Sequence, residues 1–450
     1  MSKKVKYLAF FFVFIFFVSC SLDKKSGIWT GSKEEKKRIS ELERKQQQKI
    51  DIIKIYSSEN IYTKEVSSTK SINLTKPIKN LSWEMSGLNL QNFIGNMYLP
   101  TIDNQFLKKK VGKNKFSILK IASSPLISGD NIIFGDDTGT IFNINKNGKI
   151  KWKKNVYKKV YKKIYKNLTF FIYKNKIYIS DNIGFIYSID LYNGKLVWIK
   201  NHGIPVKSKI KVFGDKIFII NQDNRLLCLD LKDGSIIWDL RSISTFIKSQ
   251  HLLGLTISKE GEIIILTSSS DLIKIDSNSG GIYWSLNIAG TTSPSATDFF
   301  KSSDIVINNN DVIFSTSSSI FSFNLNTGYL NWSKNIYSTN TPIIDGNYIF
   351  SVTNNGYFVN IDRKSGDIIW STNILKILKK KKRKTLVTGF ILGSDKIYAT
   401  TLNGFIIVCS ANSGKIEYIK KIGDSIISPP IISNGSLYIL TEESRIIGFN

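Results

Sequence analysis

Side chains that could carry metal or nucleophilic chemistry are scarce in this 450-residue chain. It contains three cysteines, Cys20, Cys228 and Cys409, and two histidines, His202 and His251. No Cys-x-x-Cys motif and no adjacent cysteine pair occurs, and the two histidines are far apart in the sequence. Metal sites and Cys/His nucleophile sites therefore lack their usual components. We expect no catalytic residue, no bound metal and no cofactor.

Cys20 is the cysteine whose position indicates a modification. A basic start is followed by an apolar run over residues 7–18 and by Ser19, the order of a secretory signal. The run is shorter than the roughly 20 residues that span a membrane. Cys20 directly after it resembles a bacterial lipobox, although Phe17 stands where Leu is usual. An ordinary signal anchor with a cysteine there by chance is the alternative.

The lipobox resemblance implies where the mature chain is located in the cell. Residues 1–19 would be the lipoprotein signal peptide, and Cys20 would become the acylated first residue. Because Ser21 is not Asp, the resemblance implies an outer-membrane anchor facing the periplasm. Residues 20–78 would be a lipidated polar tether, since they are rich in Lys, Glu, Gln, Ser and Thr and build no core.

The formal net charge of +28 raises the possibility of nucleic-acid binding. Lysine is spread over every segment of the chain, and Ile and Asn are abundant with it, as in proteins of AT-rich genomes. Two runs stand out, one from Lys158 to Lys166 and one from Lys379 to Lys384. We interpret the charge as a solvated or membrane-facing surface and expect no nucleic-acid partner.

One pattern recurs along the rest of the chain. A short apolar strand ends in Asp or Asn, a turn ends in Gly, and an aromatic residue follows four positions after that Gly. Successive aromatic residues lie 38 to 48 positions apart, which is the period of propeller blades. The seven pairs are Gly148 and Trp152, Gly194 and Trp198, Gly234 and Trp238, Gly280 and Trp284, Gly328 and Trp332, Gly366 and Trp370, and Gly414 and Tyr418.

The residues of this pattern are suited to structural roles. Gly adopts positive φ in tight turns, and the preceding Asp can accept backbone N–H groups there. The aromatic side chain on the outer strand can fill the gap between neighbouring blades. Cys228 and Cys409 fall in the third and seventh blades, on opposite sides of a ring. Bridging requires Cα atoms within about 7 Å, so we expect two free, buried thiols.

Closure of the ring requires a strand from the start of the chain. Eight apolar segments precede the hairpins, but the eighth, Ser436–Thr441, leads to the chain end without a Gly-x-x-x-Trp strand. An open edge would be costly. Leu81-Ser82-Trp83 carries an unpaired Trp, and we predict that it completes the last blade. The expected fold is all-β: an eight-bladed β-propeller over residues 79–450, closed by an N-terminal strand in the last blade.

The Asp-x-x-x-Gly-x-x-x-Trp repeats resemble the quinoprotein-type, or PQQ-like, propeller repeat. With the lipobox, the tether and the closing strand, the chain resembles the lipoprotein family of the outer-membrane β-barrel assembly machine. This resemblance implies a non-enzymatic scaffold that binds the POTRA domains of the barrel component and assists insertion of outer-membrane proteins. Unfolded outer-membrane proteins are further possible partners.

The resemblance also implies docking residues. The family contacts the POTRA domains through a segment before an inner strand of the fourth blade, where this chain has Gln250, His251, Leu252, Leu253 and Gly254. Leu253 replaces the arginine of the family. A loop in the next repeat, residues 293–304, resembles an acidic insertion of the family and would offer two carboxylates, those of Asp298 and Asp304.

Three alternatives stay open. Leu252 and Leu253 could simply be buried in an inner strand. The chain could be a PQQ-dependent dehydrogenase, which shares the fold, although it has no Cys-Cys pair and no recognisable calcium or catalytic motif of those enzymes. It could also be a propeller that binds a glycan or another envelope protein. Fold alone does not decide among these functions.

Overall fold

In blades 1 to 7, the turn before the outer strand is built by the repeat residues as the sequence predicts. In blade 2, the Asp190 carboxylate accepts the backbone N–H groups of Tyr192 and Asn193, both at 3.0 Å. The Gly194 N–H donates to the Asp190 carbonyl at 3.1 Å, and Gly194 has a φ of +68°. A residue with a Cβ atom rarely adopts that φ. The turn is therefore fixed by local sequence.

The structure is a computed structural model. It describes residues 62–67, 72–116, 121–241, 251–290, 301–379 and 385–450. The chain divides into two compact units, residues 1–60 and residues 61–450, and all the described residues belong to the second. They form eight antiparallel sheets of four strands each, which confirms the predicted eight-bladed propeller.

Strand β1 (Gln105–Lys110) precedes the first blade in the chain. Within each blade the strands run from the inner to the outer edge in chain order. The strands of blades 1 to 4 are β2 (Leu126–Ser128), β3 (Asn131–Gly135), β4 (Thr140–Ile144) and β5 (Ile150–Asn155); β6 (Leu168–Tyr173), β7 (Lys176–Asp181), β8 (Phe185–Asp190) and β9 (Leu196–Asn201); β10 (Lys211–Phe213), β11 (Lys216–Ile220), β12 (Arg225–Asp230) and β13 (Ile236–Arg241); and β14 (Gly254–Ile257), β15 (Glu262–Leu266), β16 (Asp271–Asp276) and β17 (Ile282–Asn287).

Blades 5 to 8 follow the same order, and β1 supplies the outer strand of blade 8. Their strands are β18 (Val306–Asn308), β19 (Asp311–Ser315), β20 (Ile320–Asn324) and β21 (Leu330–Lys334); β22 (Ile343–Asp345), β23 (Tyr348–Val352), β24 (Tyr357–Asp362) and β25 (Ile368–Asn373); β26 (Val387–Gly393), β27 (Lys396–Thr401), β28 (Phe405–Ser410) and β29 (Ile416–Lys421); and β30 (Ile431–Ser433), β31 (Ser436–Leu440) and β32 (Arg445–Phe449). Short 3-10 turns cover Lys159–Tyr161, Ile288–Gly290 and Ile374–Ile377.

Neighbouring blades interlock through the aromatic residue and the glycine of the repeat. A Cβ atom added to Gly366 of blade 6 would lie 2.5 Å from the ring of Trp332 in blade 5. The Trp332 indole N–H also donates to the Arg363 carbonyl in the turn of blade 6, at 2.9 Å. The same Trp-on-Gly contact joins Trp152 to Gly194, Trp198 to Gly234, Trp238 to Gly280, Trp284 to Gly328, and Trp370 to Gly414. The predicted packing role of the tryptophans is confirmed.

The strand that closes the ring is β1, and the prediction that residues 81–83 do so is wrong. Strand β1 pairs antiparallel with β32 of blade 8. Its Leu107 is buried and lies 3.2 Å from the position of a Cβ on Gly148 in blade 1, so it takes the place of the expected Trp. Trp83 instead forms an antiparallel bridge with Ile127 at the inner edge of blade 1. Strand β1 lacks the Gly-x-x-x-Trp motif of the other outer strands because no hairpin turn precedes it.

Parts of the predicted tether contact the propeller. Val66 exchanges two backbone hydrogen bonds with Ser371 on the outer strand of blade 6, at 3.1 and 2.9 Å. Ile72 is 6% exposed and belongs to the apolar cluster of blades 6 and 7. The expectation that residues 20–78 build no core is wrong at Ile72. Cys228 and Cys409 are free and buried, as predicted, and burial raises the pKa of each thiol to about 12.

We predict that replacing Gly366 with Ala destabilises the protein by about 1–3 kcal/mol, because the new methyl group overlaps the Trp332 ring. Gly203 is a matched control, since its φ is +76° but nothing lies within 4 Å of its Cβ position. Denaturant unfolding of both variants separates the overlap from the backbone cost. If Gly203→Ala costs as much as Gly366→Ala, the interlock is not the cause.

Truncation of Leu107 to Ala is expected to lower the free energy of unfolding by about 2–5 kcal/mol, the usual cost for a fully buried leucine. Leu196, on the outer strand of blade 2, is 38% exposed and is the control position. Its truncation should cost far less. Equal losses of stability for the Leu107 and Leu196 variants in urea titrations would show that packing of β1 does not close the propeller ring.

Candidate partner-binding site

The predicted docking segment leads into the inner strand of blade 4. Leu253 is 4% exposed and packs in the apolar cluster that joins blades 3 and 4. Its backbone N–H donates to the Lys207 carbonyl. The burial of Leu253 is what the alternative interpretation, packing in an inner strand, requires. Leu252 is half-buried and His251 is exposed, so these two residues remain accessible to a partner.

Gly254, the first residue of β14, has a structural reason to be glycine. A Cβ atom at this position would lie 2.8 Å from side-chain atoms of Ile305, which precedes the inner strand of blade 5. The glycine therefore permits the close approach of two neighbouring blades. Its match to the docking motif of the family is accounted for by this packing within the propeller.

Asp304, one of the two predicted partner-binding carboxylates, is engaged inside the propeller. It forms an ion pair with Lys209 of blade 3 and accepts the Thr341 hydroxyl hydrogen at 2.8 Å. Only 14% of its side chain is exposed. Burial alone would raise the pKa of Asp304, but Lys209, Thr341 and Lys211 outweigh that effect, so its pKa is lowered. The contact joins elements of blades 3, 5 and 6.

Lys211, the first residue of β10, is a functional candidate that the repeat pattern did not identify. Its side chain is fully buried. Burial lowers the pKa of Lys211 to about 7, which Asp304 opposes and Lys209 reinforces. The sequence does mark this position, because a lysine stands where the other three-residue inner strands begin with an aliphatic residue. Those residues are Leu126, Val306, Ile343 and Ile431.

Three of the predicted site residues lie outside the described part of the chain. They are Cys20, Gln250 and Asp298. Most of the 293–304 loop is outside it as well, and so is the greater part of the Lys379–Lys384 run. Their roles stay predictions.

A shallow pocket opens between blades 8, 1 and 2, and its acidic residues serve the backbone. Asp136 accepts the backbone N–H groups of Thr138 and Thr140, both at 3.0 Å, and burial raises its pKa. Asp137 accepts the N–H groups of Lys115 and Phe116 at 2.9 and 2.8 Å. The other polar residues of the lining are Asn114, Ser123, Tyr165, Lys166, Asn167 and Glu442. These carboxylates organise a turn and a chain connection.

Metal ligands do not converge in the part of the chain that the structure covers. Among the described residues, no three His, Cys, Asp or Glu side chains are grouped so that they could hold an ion. The same residues include no helix with the length and apolar character needed to cross a membrane.

Solved structures resemble the chain in fold. BamB from Moraxella catarrhalis matches 77% of this chain and 99% of its own chain, with a TM-score of 0.62 and 14% sequence identity. A europium-containing methanol dehydrogenase matches 81% of this chain and 89% of its own, with a TM-score of 0.59 and 11% identity. At these identities the likeness shows a common propeller fold, shared by an assembly factor and an enzyme.

Sequence comparison identifies the family of the chain. The outer membrane protein assembly factor BamB of Moranella endobia (strain PCIT) is 19% identical over 300 residues, which cover 61% of this chain and 72% of the relative. The family model described as outer membrane protein assembly factor BamB matches residues 112–240 and 244–372, more than half of the chain. The chain therefore belongs to the family of the outer membrane protein assembly factor BamB.

Proposed function

We propose that this protein is a non-enzymatic scaffold of the outer-membrane β-barrel assembly machine. The observation that carries the proposal is the match of the assembly-factor family model to two long stretches of the propeller. The polar groups described above support it, because they are engaged in holding turns, blades and connections together. In this role the protein binds the POTRA domains of the barrel component and assists the insertion of outer-membrane proteins.

His251 and Leu252 are the proposed POTRA contact. They precede β14 and are accessible, whereas Leu253 anchors the segment in the core. A half-buried leucine next to a buried one is already positioned before a partner binds, and a pre-ordered side chain loses less conformational entropy on binding. Gln250 and Asp298 are the further proposed members of this surface. Unfolded outer-membrane proteins are proposed as additional, weaker partners.

The proposed location is the periplasmic face of the outer membrane, with an acyl group on Cys20 as the anchor. A single acyl chain gives marginal membrane binding, and two or more chains give stable anchoring. The abundance of lysine adds attraction to anionic lipid at the same surface.

Replacing Leu252 with Glu is expected to weaken POTRA binding about tenfold or more, since a charge would enter an apolar contact. The control is Leu196→Glu, on the exposed outer strand of blade 2. Binding of each purified variant to immobilised POTRA domains gives the ratio of dissociation constants. Circular dichroism checks that both variants are folded. Equal binding by folded Leu252→Glu and Leu196→Glu would rule out this contact.

The lipid anchor has a separate test. Intact-mass spectrometry of the native protein should show a chain that begins at Cys20 and carries the added mass of acyl groups. Substitution of Cys20 with Ser should leave an unprocessed or unacylated protein and move it out of the membrane fraction. An unmodified Cys20 in the native chain would contradict the proposed lipid anchor, whereas the proposed binding to POTRA domains would be unaffected.

A further inference from the structure

The chain segment before β1 makes one circuit around the propeller axis. We call residues 72–100 the axial segment. It lies at one end of the inner strands, close to the turns that lead to the second strands of the blades. From Asn80 to Met97 it meets the blades in the order 8, 1, 2, 3, 4, 5, 6 and 7. Its successive blade contacts are Asn80, Trp83, Glu84, Ser86, Leu90, Gln91, Asn96 and Met97.

Backbone groups of the inner strands supply most of these contacts. The inner edge of a blade leaves N–H and C=O groups without a neighbouring strand, which is unfavourable if they are buried. The axial segment satisfies several of these groups directly. The bonds are Ile127 N–H to Trp83 O at 2.8 Å, Ile172 N–H to Glu84 O at 2.7 Å, Ile257 N–H to Leu90 O at 3.1 Å, Ile307 N–H to Gln91 O at 2.9 Å, and Asn434 N–H to Asn80 O at 2.6 Å.

Amide side chains of the axial segment add bonds of the same kind. Gln91 Nε2 donates to the Ile257 carbonyl at 3.0 Å. Asn92 Nδ2 donates to the Ile305 carbonyl at 2.8 Å, and Asn80 Nδ2 donates to the Ile432 carbonyl at 3.0 Å. Blades 4, 5 and 8 thus each receive a donor to an inner-strand carbonyl or to one just before it. The segment therefore binds the blades as a peptide ligand binds exposed strand edges.

Three charged side chains of the propeller contact the axial segment: Lys211, Asp345 and Asp395, the last of which accepts from Asn96 Nδ2 at 2.7 Å. Lys211 Nζ donates to the Asn89 carbonyl at 2.9 Å and to Asn92 Oδ1 at 2.6 Å, with the Ser86 carbonyl at 3.3 Å. Asp345, at the end of the inner strand of blade 6, accepts from the Thr75 N–H at 2.8 Å. The propeller thus provides a lysine donor for carbonyl oxygens and a carboxylate acceptor for backbone N–H groups.

Lys211 shows that the sequence of the ring is adapted to this contact. The corresponding inner-strand positions of four other blades are aliphatic, as noted above, and a buried ammonium is costly without acceptors. The oxygen acceptors of Lys211 all belong to the axial segment. A ring that left this end open to water would have no structural need for a lysine there.

We infer that the inner rim at this end of the propeller is a polypeptide-binding site, and that the protein fills it with its own residues 72–100. The ligand class is an extended polypeptide rich in amide side chains, held by strand edges, Lys211 and Asp345. The bound segment closes this end of the axis. Other partners must therefore bind at the opposite end or on the outer blade surfaces. This inference does not depend on the proposed function.

The first test cuts the connection between the axial segment and β1 in the full-length protein. A protease recognition sequence is inserted between Asp103 and Asn104, both exposed. After cleavage, the N-terminal fragment should stay with residues 104–450 through size-exclusion chromatography in buffer and separate only in denaturant. Separation of the two fragments in buffer would overturn the inference, because the segment would then be held only by its covalent link.

The second test asks whether Lys211 recognises the segment. Lys211→Met in the cleavable protein should raise the dissociation rate of the fragment about tenfold or more, since hydrogen bonds to three carbonyl oxygens are lost and those oxygens stay buried. Lys232→Met, an exposed position in the same blade, is the matched control. Equal dissociation rates for the two variants would overturn the role of Lys211.

Hydrogen exchange of the uncut protein gives an answer that needs no variant. The amides of Ile127, Ile172, Ile257 and Ile307 donate to the axial segment. They should exchange at least about a hundredfold more slowly than unprotected amides. Exchange of these four amides at unprotected rates would overturn the inference even if every variant failed to fold.

Discussion

In blades 1 to 6, the outer tryptophan packs on the turn glycine of the next blade, and this contact is the constraint on which the propeller depends. The ring occupies the space that a Cβ atom on that glycine would need. Glycine is therefore required at this position for two reasons. The turn needs a positive φ, and the aromatic ring of the neighbouring blade leaves no room for a side chain. No blade can complete this contact alone, because the ring and the glycine belong to different sheets. The cooperativity of the propeller follows from that division.

The same constraint explains how the chain closes. Blade 8 has only three strands from the C-terminal part of the chain, so its fourth strand must come from β1. Leu107 then fills the position over Gly148 that a tryptophan fills elsewhere. Lys420 of blade 7 donates to the Ile102 and Asp103 carbonyls just before β1. The residues that lead into β1 thus take the place of the missing hairpin turn.

The candidate partner site and the axial segment meet different ends of the inner strand of blade 4. His251 and Leu252 precede β14, while Ile257, its last residue, donates to Leu90 of the axial segment. Binding of a partner before β14 therefore does not require the axial segment to move. The ion pair of Lys209 and Asp304 lies between blades, and we expect it to position those blades.

The sequence by itself determined the blade number, the turn positions, the interlocking residues and the free thiols, because each depends on residues within a few positions or on a regular period. It did not identify β1, since a closing strand has no preceding turn and so carries no Gly-x-x-x-Trp motif. Nor could it show that Leu253 is buried while Leu252 is accessible. Only the tertiary structure decided the partners of Asp304, which are 95 and 37 residues away. It also decided the circuit of the axial segment, because only the closed ring brings eight inner strands to one axis, where a single stretch of chain can contact them all.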